Sequence, residues 1–199
     1  MKKIFKSLLI VFLVANLAIA NTSSYFSDIE ISTGNIFSTG TLDLKLNEED
    51  NITATWAENN LKPEMEVTGL IDLKNTGTIS ADHLHLRIVN TIIDAVSGPG
   101  TVTTPSLDSV LEITSLTYDG INILTSVSDV NGNGIKDLDD LEHVSNFGHT
   151  LPVLNLTDLN VNHPFEITVK LNKDKANVSN QGDSISTDFI FNLYQNASQ

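Results

Sequence analysis

The feature that most constrains the fold is a regular alternation of apolar and polar residues in short segments. Residues 83–90 alternate three aliphatic side chains with two histidines and an arginine, and residues 42–46, 67–74, 165–171 and 185–193 also read as strands. Successive side chains of a β-strand point to opposite faces, so this pattern predicts strands with one buried and one wet face. The chain is therefore expected to be mainly β, as an antiparallel jelly roll or β-sandwich.

Helix signals are confined to two short segments. Residues 105–111 can form a short helix that leads into a strand at residues 112–118. Leu138, Leu141 and Val144 recur at three-residue spacing, which predicts a second helix with one apolar side. One or two short helices are therefore expected beside the strands.

The first twenty residues have the pattern of a secretion signal. Three lysines precede an apolar run at residues 8–17, and residues 18–20 form a small-x-small cleavage site. The run is shorter than the roughly 20 apolar residues of a membrane span. We predict a signal peptide at residues 1–20 and a mature chain that starts at Asn21 without a stable membrane span. Such a protein would be secreted to the extracellular matrix or cell surface; an uncleaved anchor is the alternative.

The chain is acidic and contains no cysteine. Its net charge is −14 at pH 7, although three of its eleven basic residues lie in the predicted signal. Phosphate repels such a surface, which argues against nucleic acid as a partner. Without cysteine, disulfides, thiol catalysis and thiolate metal sites are excluded. Stability must therefore come from core burial and from any bound metal.

Residues 129–140 have the spacing of a calcium-binding loop. Carboxylates or carboxamides occupy loop positions 1, 3, 5, 9 and 12, and Gly134 stands at position 6, where the chain must turn sharply. Calcium takes about 6–8 oxygen ligands, which side-chain and backbone oxygens around a tight turn can supply. The predicted calcium ligands are Asp129, Asn131, Asn133, Ile135 through its backbone carbonyl, Asp137 and Asp140.

Position 12 of this loop differs from the usual motif. It is Asp140 rather than a bidentate glutamate, which predicts a looser site, and Asp139 is an alternative ligand. We expect calcium to act structurally, with the affinity of about 10⁻⁴ to 10⁻³ M that extracellular modules have. The alternative interpretation is an Asx-rich turn that binds no metal.

The start of the predicted mature chain carries a family resemblance. This part of the chain resembles the opening of the TasA/camelysin family. The similar residues are 24–30 (Ser-Tyr-Phe-Ser-Asp-Ile-Glu), 32–35 (Ser-Thr-Gly-Asn) and 40–44 (Gly-Thr-Leu-Asp-Leu). Residues 61–63 (Leu-Lys-Pro) and 75–77 (Asn-Thr-Gly) support the resemblance, which covers essentially the whole mature chain. Members of this family occur in bacteria and archaea and carry a SipW-type signal peptide.

The resemblance implies a jelly-roll domain at residues 38–199 that polymerises into biofilm-matrix fibres. In fibre-forming members the N-terminal segment of one subunit adds a strand to the next, which assigns residues 21–37 as the donor segment. Head-to-tail donation does not close into a ring, so many copies of this chain would form an open filament. Other matrix proteins are further candidate partners. The segment can instead be a strand of its own sheet or a disordered tail. The implied donor-strand residues are Tyr25, Phe26, Ile29, Ile31, Ile36 and Phe37.

The family also suggests an enzyme, because camelysin-like members are described as metallo-endopeptidases. The chain has neither His-Glu-x-x-His nor Gly-x-Ser-x-Gly. His83 and His85, two apart on one strand, have a chelating spacing, with two surface histidines as the competing interpretation. We therefore expect a structural protein rather than an enzyme. A secreted metallo-endopeptidase and a calcium-stabilised adhesive domain that does not polymerise are the alternatives.

Five Asn-x-Ser/Thr triplets are candidate glycosylation sites. Such triplets arise by chance in chains rich in these residues, and they matter only where a glycosylation pathway exists. The triplets begin at Asn21, Asn51, Asn155, Asn177 and Asn196.

Overall fold

A computed structural model describes most of the second of two units into which the chain divides, Met1–Ser38 and Thr39–Gln199. The predicted signal peptide and the predicted donor segment, residues 21–37, lie outside the described residues. The described residues are 40–52, 58, 60–95, 104–146, 154 and 156–195.

The described residues contain seven strands, one α-helix and three short 3-10 helices. The strands are β1 (Leu44–Leu46), β2 (Glu66–Asn75), β3 (His83–Ile93), β4 (Leu111–Tyr118), β5 (Ile121–Asn122), β6 (His163–Leu171) and β7 (Ser184–Tyr194). The helix is α1 (Leu138–Asn146), and the 3-10 helices are Asp108–Val110, Leu124–Ser126 and Val178–Asn180.

The strands form two antiparallel sheets. One has five strands in the order β1-β2-β6-β4-β5, and the other pairs β3 with β7. The prediction of a mainly β, antiparallel fold is confirmed, and so is the helix predicted around Leu138. In the segment 105–111 the helical part is only the 3-10 turn before β4. The jelly-roll arrangement itself stays a prediction.

The core lies between the two sheets and under α1. Phe165 of β6 is fully buried, and its ring centroid lies 5.6 Å from that of Phe189 and 5.4 Å from that of Phe191, both on β7. From α1, Leu141 and Val144 are buried in the same apolar cluster. Burying each large apolar side chain contributes about 1.5–3 kcal/mol to folding, so this shared cluster holds sheets and helix together.

The alternation in β3 is confirmed on its apolar side, because Leu84, Leu86 and Ile88 are all buried. On the other side His85 is exposed, as expected. The interpretation of His83 as a surface residue is wrong, since only 4% of it is exposed. Its ring is covered by Tyr194 of the neighbouring strand β7. The two residues are far apart in the sequence, so the alternation within β3 cannot reveal this contact.

Candidate functional site

The predicted calcium loop, residues 129–140, follows the 3-10 helix Leu124–Ser126 and ends in the first turn of α1. Its second half is fixed to β4, because the backbone N–H of Ile113 donates to the carbonyl of Lys136 at 2.7 Å. The ammonium group of Lys136 donates to the carbonyl of Leu124 at 2.8 Å. Lys136 is therefore attached both to β4 and to the 3-10 helix that precedes the loop.

Asp129, at loop position 1, organises the first turn. Its Oδ1 accepts the backbone N–H groups of Gly132 and Asn133 at 2.8 and 3.1 Å, and its Oδ2 accepts that of Gly134 at 2.9 Å. Gly132 and Gly134 have φ angles of 73° and 87°, a region that favours glycine. The two glycines therefore let three main-chain donors converge on one carboxylate.

Asp137, at loop position 9, is the centre of the loop and is fully buried. Its Oδ2 accepts hydrogen bonds from the carboxamide nitrogens of Asn131 at 3.2 Å and Asn133 at 2.7 Å. Burial raises the pKa of this carboxyl to about 6, because the charged form loses its contact with water. The structure therefore brings the side chains of loop positions 3, 5 and 9 into contact.

Asp140, at loop position 12, is also fully buried and closes the loop. Its Oδ1 accepts from the N–H of Val130 at 2.7 Å, and its Oδ2 accepts from the N–H of Asp137 at 3.2 Å. Burial raises the pKa of Asp140 as well. Asp139 instead bonds to the carboxamide of Asn131 at 3.0 Å and lies 3.2 Å from His143.

Two supporting residues have no counterpart in the sequence motif. The ammonium group of Lys175 donates to the carbonyl of Asn133 at 2.5 Å, and the carboxamide of Asn133 donates to the carbonyl of Ser109 at 2.9 Å. Both partners are distant in sequence. The loop spacing contains no signal for them, because they depend on how the chain folds back.

The donor types in this loop fit calcium. Carboxylates, carboxamides and backbone carbonyls are the hard oxygen ligands that this cation prefers. In the described part of the chain, no three histidine, aspartate or glutamate side chains are grouped so that they alone would hold a metal ion. A cation in this loop would therefore depend on the carboxamide oxygens and on main-chain oxygens such as that of Ile135.

The two histidines of β3 lie side by side, with ring centroids 4.7 Å apart. The ring of His83 stacks on Tyr194 at 5.1 Å, and its Nδ1 lies 2.9 Å from the Oδ2 of Asp82. Burial, and secondarily the neighbouring His83, lower the pKa of His85. This pair is part of an aromatic cluster at the start of β3.

A third histidine has a role that the sequence does not indicate. His163, at the start of β6, is buried, and its Nδ1 lies 3.3 Å from the Oδ2 of Asp119. Its ring stacks on Tyr118 at 6.1 Å, and its buried Nε2 has no hydrogen-bond partner among the residues that the structure describes. This contact joins the ends of β4 and β6.

Two of the candidate glycosylation sites lie in the described residues, and both are exposed. Asn177 caps the 3-10 helix Val178–Asn180, since its Oδ1 accepts the N–H of Ser179 at 2.7 Å. Asn51 lies in a segment without regular structure. Asn21, Asn155 and Asn196 lie outside the described residues.

Comparison with known proteins places the chain in a family. A family model described as camelysin metallo-endopeptidase matches residues 1–199. Curated proteins gave no significant match. Within the described residues, none of the helices has the length and apolar character needed to cross a membrane. Because the match extends over the full chain and agrees with the resemblance carried by its opening residues, the chain belongs to the camelysin family.

Proposed function

We propose that this chain is a secreted structural subunit, which assembles head to tail into extracellular filaments by donating residues 21–37 to a neighbouring copy. The observation that carries the proposal is the unequal size of the two sheets. Among the described residues, five strands form one wall of the core and only β3 and β7 form the other. A smaller sheet leaves room for an added strand, which would cover core residues and satisfy main-chain groups.

The sequence of the donor segment supports this proposal. Ile29 and Ile31 are flanked by Asp28, Glu30 and Ser32, which gives one apolar and one polar face. A strand with this alternation suits a half-buried position in an antiparallel sheet. Removal of the signal peptide would release the segment outside the cell, so that secretion and assembly are coupled.

We further propose that calcium stabilises the 129–140 loop. The site would be held by the carboxylates of Asp129, Asp137 and Asp140, together with the oxygens of two asparagines and the carbonyl of Ile135. In the structure Asn131 and Asn133 present nitrogens to Asp137. Binding would therefore require both carboxamides to turn their oxygens inward.

Electron microscopy of the purified mature protein tests the proposal. The chain starting at Asn21 should form filaments, whereas a chain lacking residues 21–37 should stay monomeric. An Ile29→Asp/Ile31→Asp variant should also fail to assemble, while the matched variant Ser32→Asp, on the polar face, should still form filaments. A correctly processed mature chain that remains monomeric at all concentrations would contradict the proposal.

The second candidate function is metallo-endopeptidase activity, which the description of the matched family favours. The residues that would carry it are His83 and His85, whose rings lie 4.7 Å apart. This function predicts peptide cleavage that a chelator inhibits and that His83→Ala or His85→Ala abolishes. Cleavage that persists in both variants would exclude this histidine pair as the site.

A further inference from the structure

The loop at residues 129–140 contains the dipeptide Asn-Gly twice in succession, at residues 131–132 and 133–134. No other asparagine of the chain is followed by glycine. Asparagine is a chemically labile residue, and a following glycine has no side chain to hinder attack of its backbone nitrogen on the carboxamide. The loop therefore contains the two steps of this chain that are most prone to deamidation, a chemistry that neither the calcium motif nor filament assembly uses.

Deamidation at such a step needs only water as a co-reactant. At the first step the backbone nitrogen of Gly132 forms a bond to the Cγ of Asn131, and the Cγ–Nδ2 bond breaks. The amide group leaves as ammonia, with the proton that the glycine nitrogen gives up. Water then opens the succinimide ring: cleavage at Cγ gives aspartate, and cleavage at the main-chain carbonyl carbon gives isoaspartate. Both products carry a negative charge that the carboxamide lacks.

Main-chain donors bind the oxygens of both carboxamides. The Oδ1 of Asn131 accepts the N–H of Asn133 at 3.0 Å, and the Oδ1 of Asn133 accepts that of Ile135 at 2.9 Å. When a nitrogen attacks the carboxamide carbon, negative charge develops on this oxygen, and a bound N–H stabilises that charge. The carboxamide carbon is therefore activated toward attack at both positions.

Asp129 restrains the two attacking nitrogens. Its carboxylate accepts the N–H of Gly132 at 2.8 Å and the N–H of Gly134 at 2.9 Å. Each glycine nitrogen must lose this proton before it can attack, and its negative charge would then lie beside the carboxylate. Asp129 should therefore slow both reactions in the folded loop, so that they proceed mainly when the loop opens locally.

The two asparagines differ in how their carboxamide nitrogens are held. Asn133 is partly buried, and its Nδ2 donates to the carbonyl of Ser109 at 2.9 Å and to the Oδ2 of Asp137 at 2.7 Å. Asn131 is exposed, and its Nδ2 lies farther from its acceptors, 3.2 Å from the Oδ2 of Asp137 and 3.0 Å from that of Asp139. The side chain of Asn131 is therefore freer to rotate toward the attacking nitrogen and more accessible to water.

We propose that Asn131 is a site of spontaneous deamidation, that Asp129 restrains this reaction in the folded loop, and that the closer contacts of Asn133 protect the second step. The product has a carboxylate at position 131 in place of a hydrogen-bond donor. This carboxylate faces Asp137 and Asp139, and like charges at such a separation repel each other. Deamidation therefore weakens the loop when no cation is bound. The reaction does not depend on strand donation or on calcium.

Peptide mapping by mass spectrometry tests this assignment on the mature chain, incubated for days at neutral pH without added calcium. Succinimide, aspartate and isoaspartate are measured separately at the two asparagines. In guanidinium chloride both steps should react at similar rates, because each is an Asn-Gly dipeptide. In the folded chain Asn131 should react about tenfold more slowly than in denaturant, since a charge-assisted hydrogen bond must first break. Asn133 should react more slowly still.

Substitution separates the site from its restraint. In the folded chain Asp129→Ala should raise the rate at Asn131 about tenfold, whereas the matched Asp158→Ala, at an exposed carboxylate outside the loop, should not change it. A rate at Asn133 equal to or above that at Asn131 would overturn the choice of site. An unchanged rate in Asp129→Ala would overturn the restraint. If that variant does not fold, equal rates for the natural chain in buffer and in denaturant would overturn the restraint as well.

Asn131→Asp reproduces the aspartate product and tests its effect on the loop. In the presence of a chelator its melting temperature should be about 2–4 °C below that of the natural chain, because the new carboxylate repels two others. The matched control Asn122→Asp, at an exposed asparagine of β5, should melt like the natural chain. Equal melting temperatures for Asn131→Asp and the natural chain would overturn the predicted weakening of the loop.

Discussion

The carboxamide nitrogen of Asn133 donates a 2.7 Å hydrogen bond to the Oδ2 of Asp137, so loop positions 5 and 9 are in contact inside the folded chain. This contact means that the loop has an ordered arrangement built from amide donors. Calcium would exchange these donors for oxygens around the same buried carboxylate.

Calcium should therefore stabilise the protein, and Asp137→Asn should remove this effect. At about 10 mM calcium, an affinity of 10⁻⁴ to 10⁻³ M adds roughly 1.4–2.7 kcal/mol to the free energy of unfolding. Thermal melts with calcium and with a chelator measure the difference. The control Asp158→Asn, at an exposed carboxylate outside the loop, should keep the calcium response. Identical melting of the natural chain in both conditions would contradict a calcium site.

Asp108 should make the stability depend on pH. Burial raises the pKa of this carboxyl, although Ser106 and Ser109 donate hydrogen bonds to it. A raised folded-state pKa means that the folded chain binds the proton more tightly. The stability contribution is therefore fully present below the unfolded pKa of about 3.9 and is lost as pH rises through the folded pKa.

Asp108→Asn keeps an acceptor oxygen but cannot ionise. Urea unfolding at a series of pH values should show a shallower loss of stability with rising pH in this variant than in the natural chain. If both chains lose stability in parallel, Asp108 does not cause the dependence.

Phe165→Ala should be among the most damaging core substitutions. The side chain is fully buried between the sheets and contacts two phenylalanines of β7, so its removal leaves a cavity. We expect a loss of about 3–5 kcal/mol in the free energy of unfolding, measured with urea. Phe165→Leu should cost clearly less; equal losses for the two variants would argue against tight packing at this position.

Gly77→Ala should destabilise the turn after β2. A Cβ atom at this position would lie 2.1 Å from the carbonyl oxygen of Thr41 and 2.9 Å from the backbone nitrogen of Asp43. The segment before β1 would have to move, which breaks its hydrogen bonds to the turn. The control Gly120→Ala meets no atom within 4 Å and should cost only the roughly 1–2 kcal/mol of its positive φ. A smaller loss at Gly77 than at Gly120 would contradict this reading of the close approach.

The sequence predicts the strands well, because the alternation around Leu84 and Phe165 is a local property of the chain. It also predicts that Asp129 and Asp137 lie in one loop. It does not predict that Tyr194 covers His83, or that Lys175 contacts Asn133. These contacts join segments that are far apart in the sequence. The residue spacing within each segment does not depend on them, so it cannot predict them.

The two-stranded sheet of β3 and β7 has a consequence for any filament that strand donation to it would build. Each subunit would offer one accepting edge and one donating segment, so the two ends of the filament would be chemically different. One terminus would expose a bare strand edge, and the other would carry an unused N-terminal segment. Growth at the two termini would then proceed at different rates, and a short peptide with the sequence of residues 21–37 would cap only one of them.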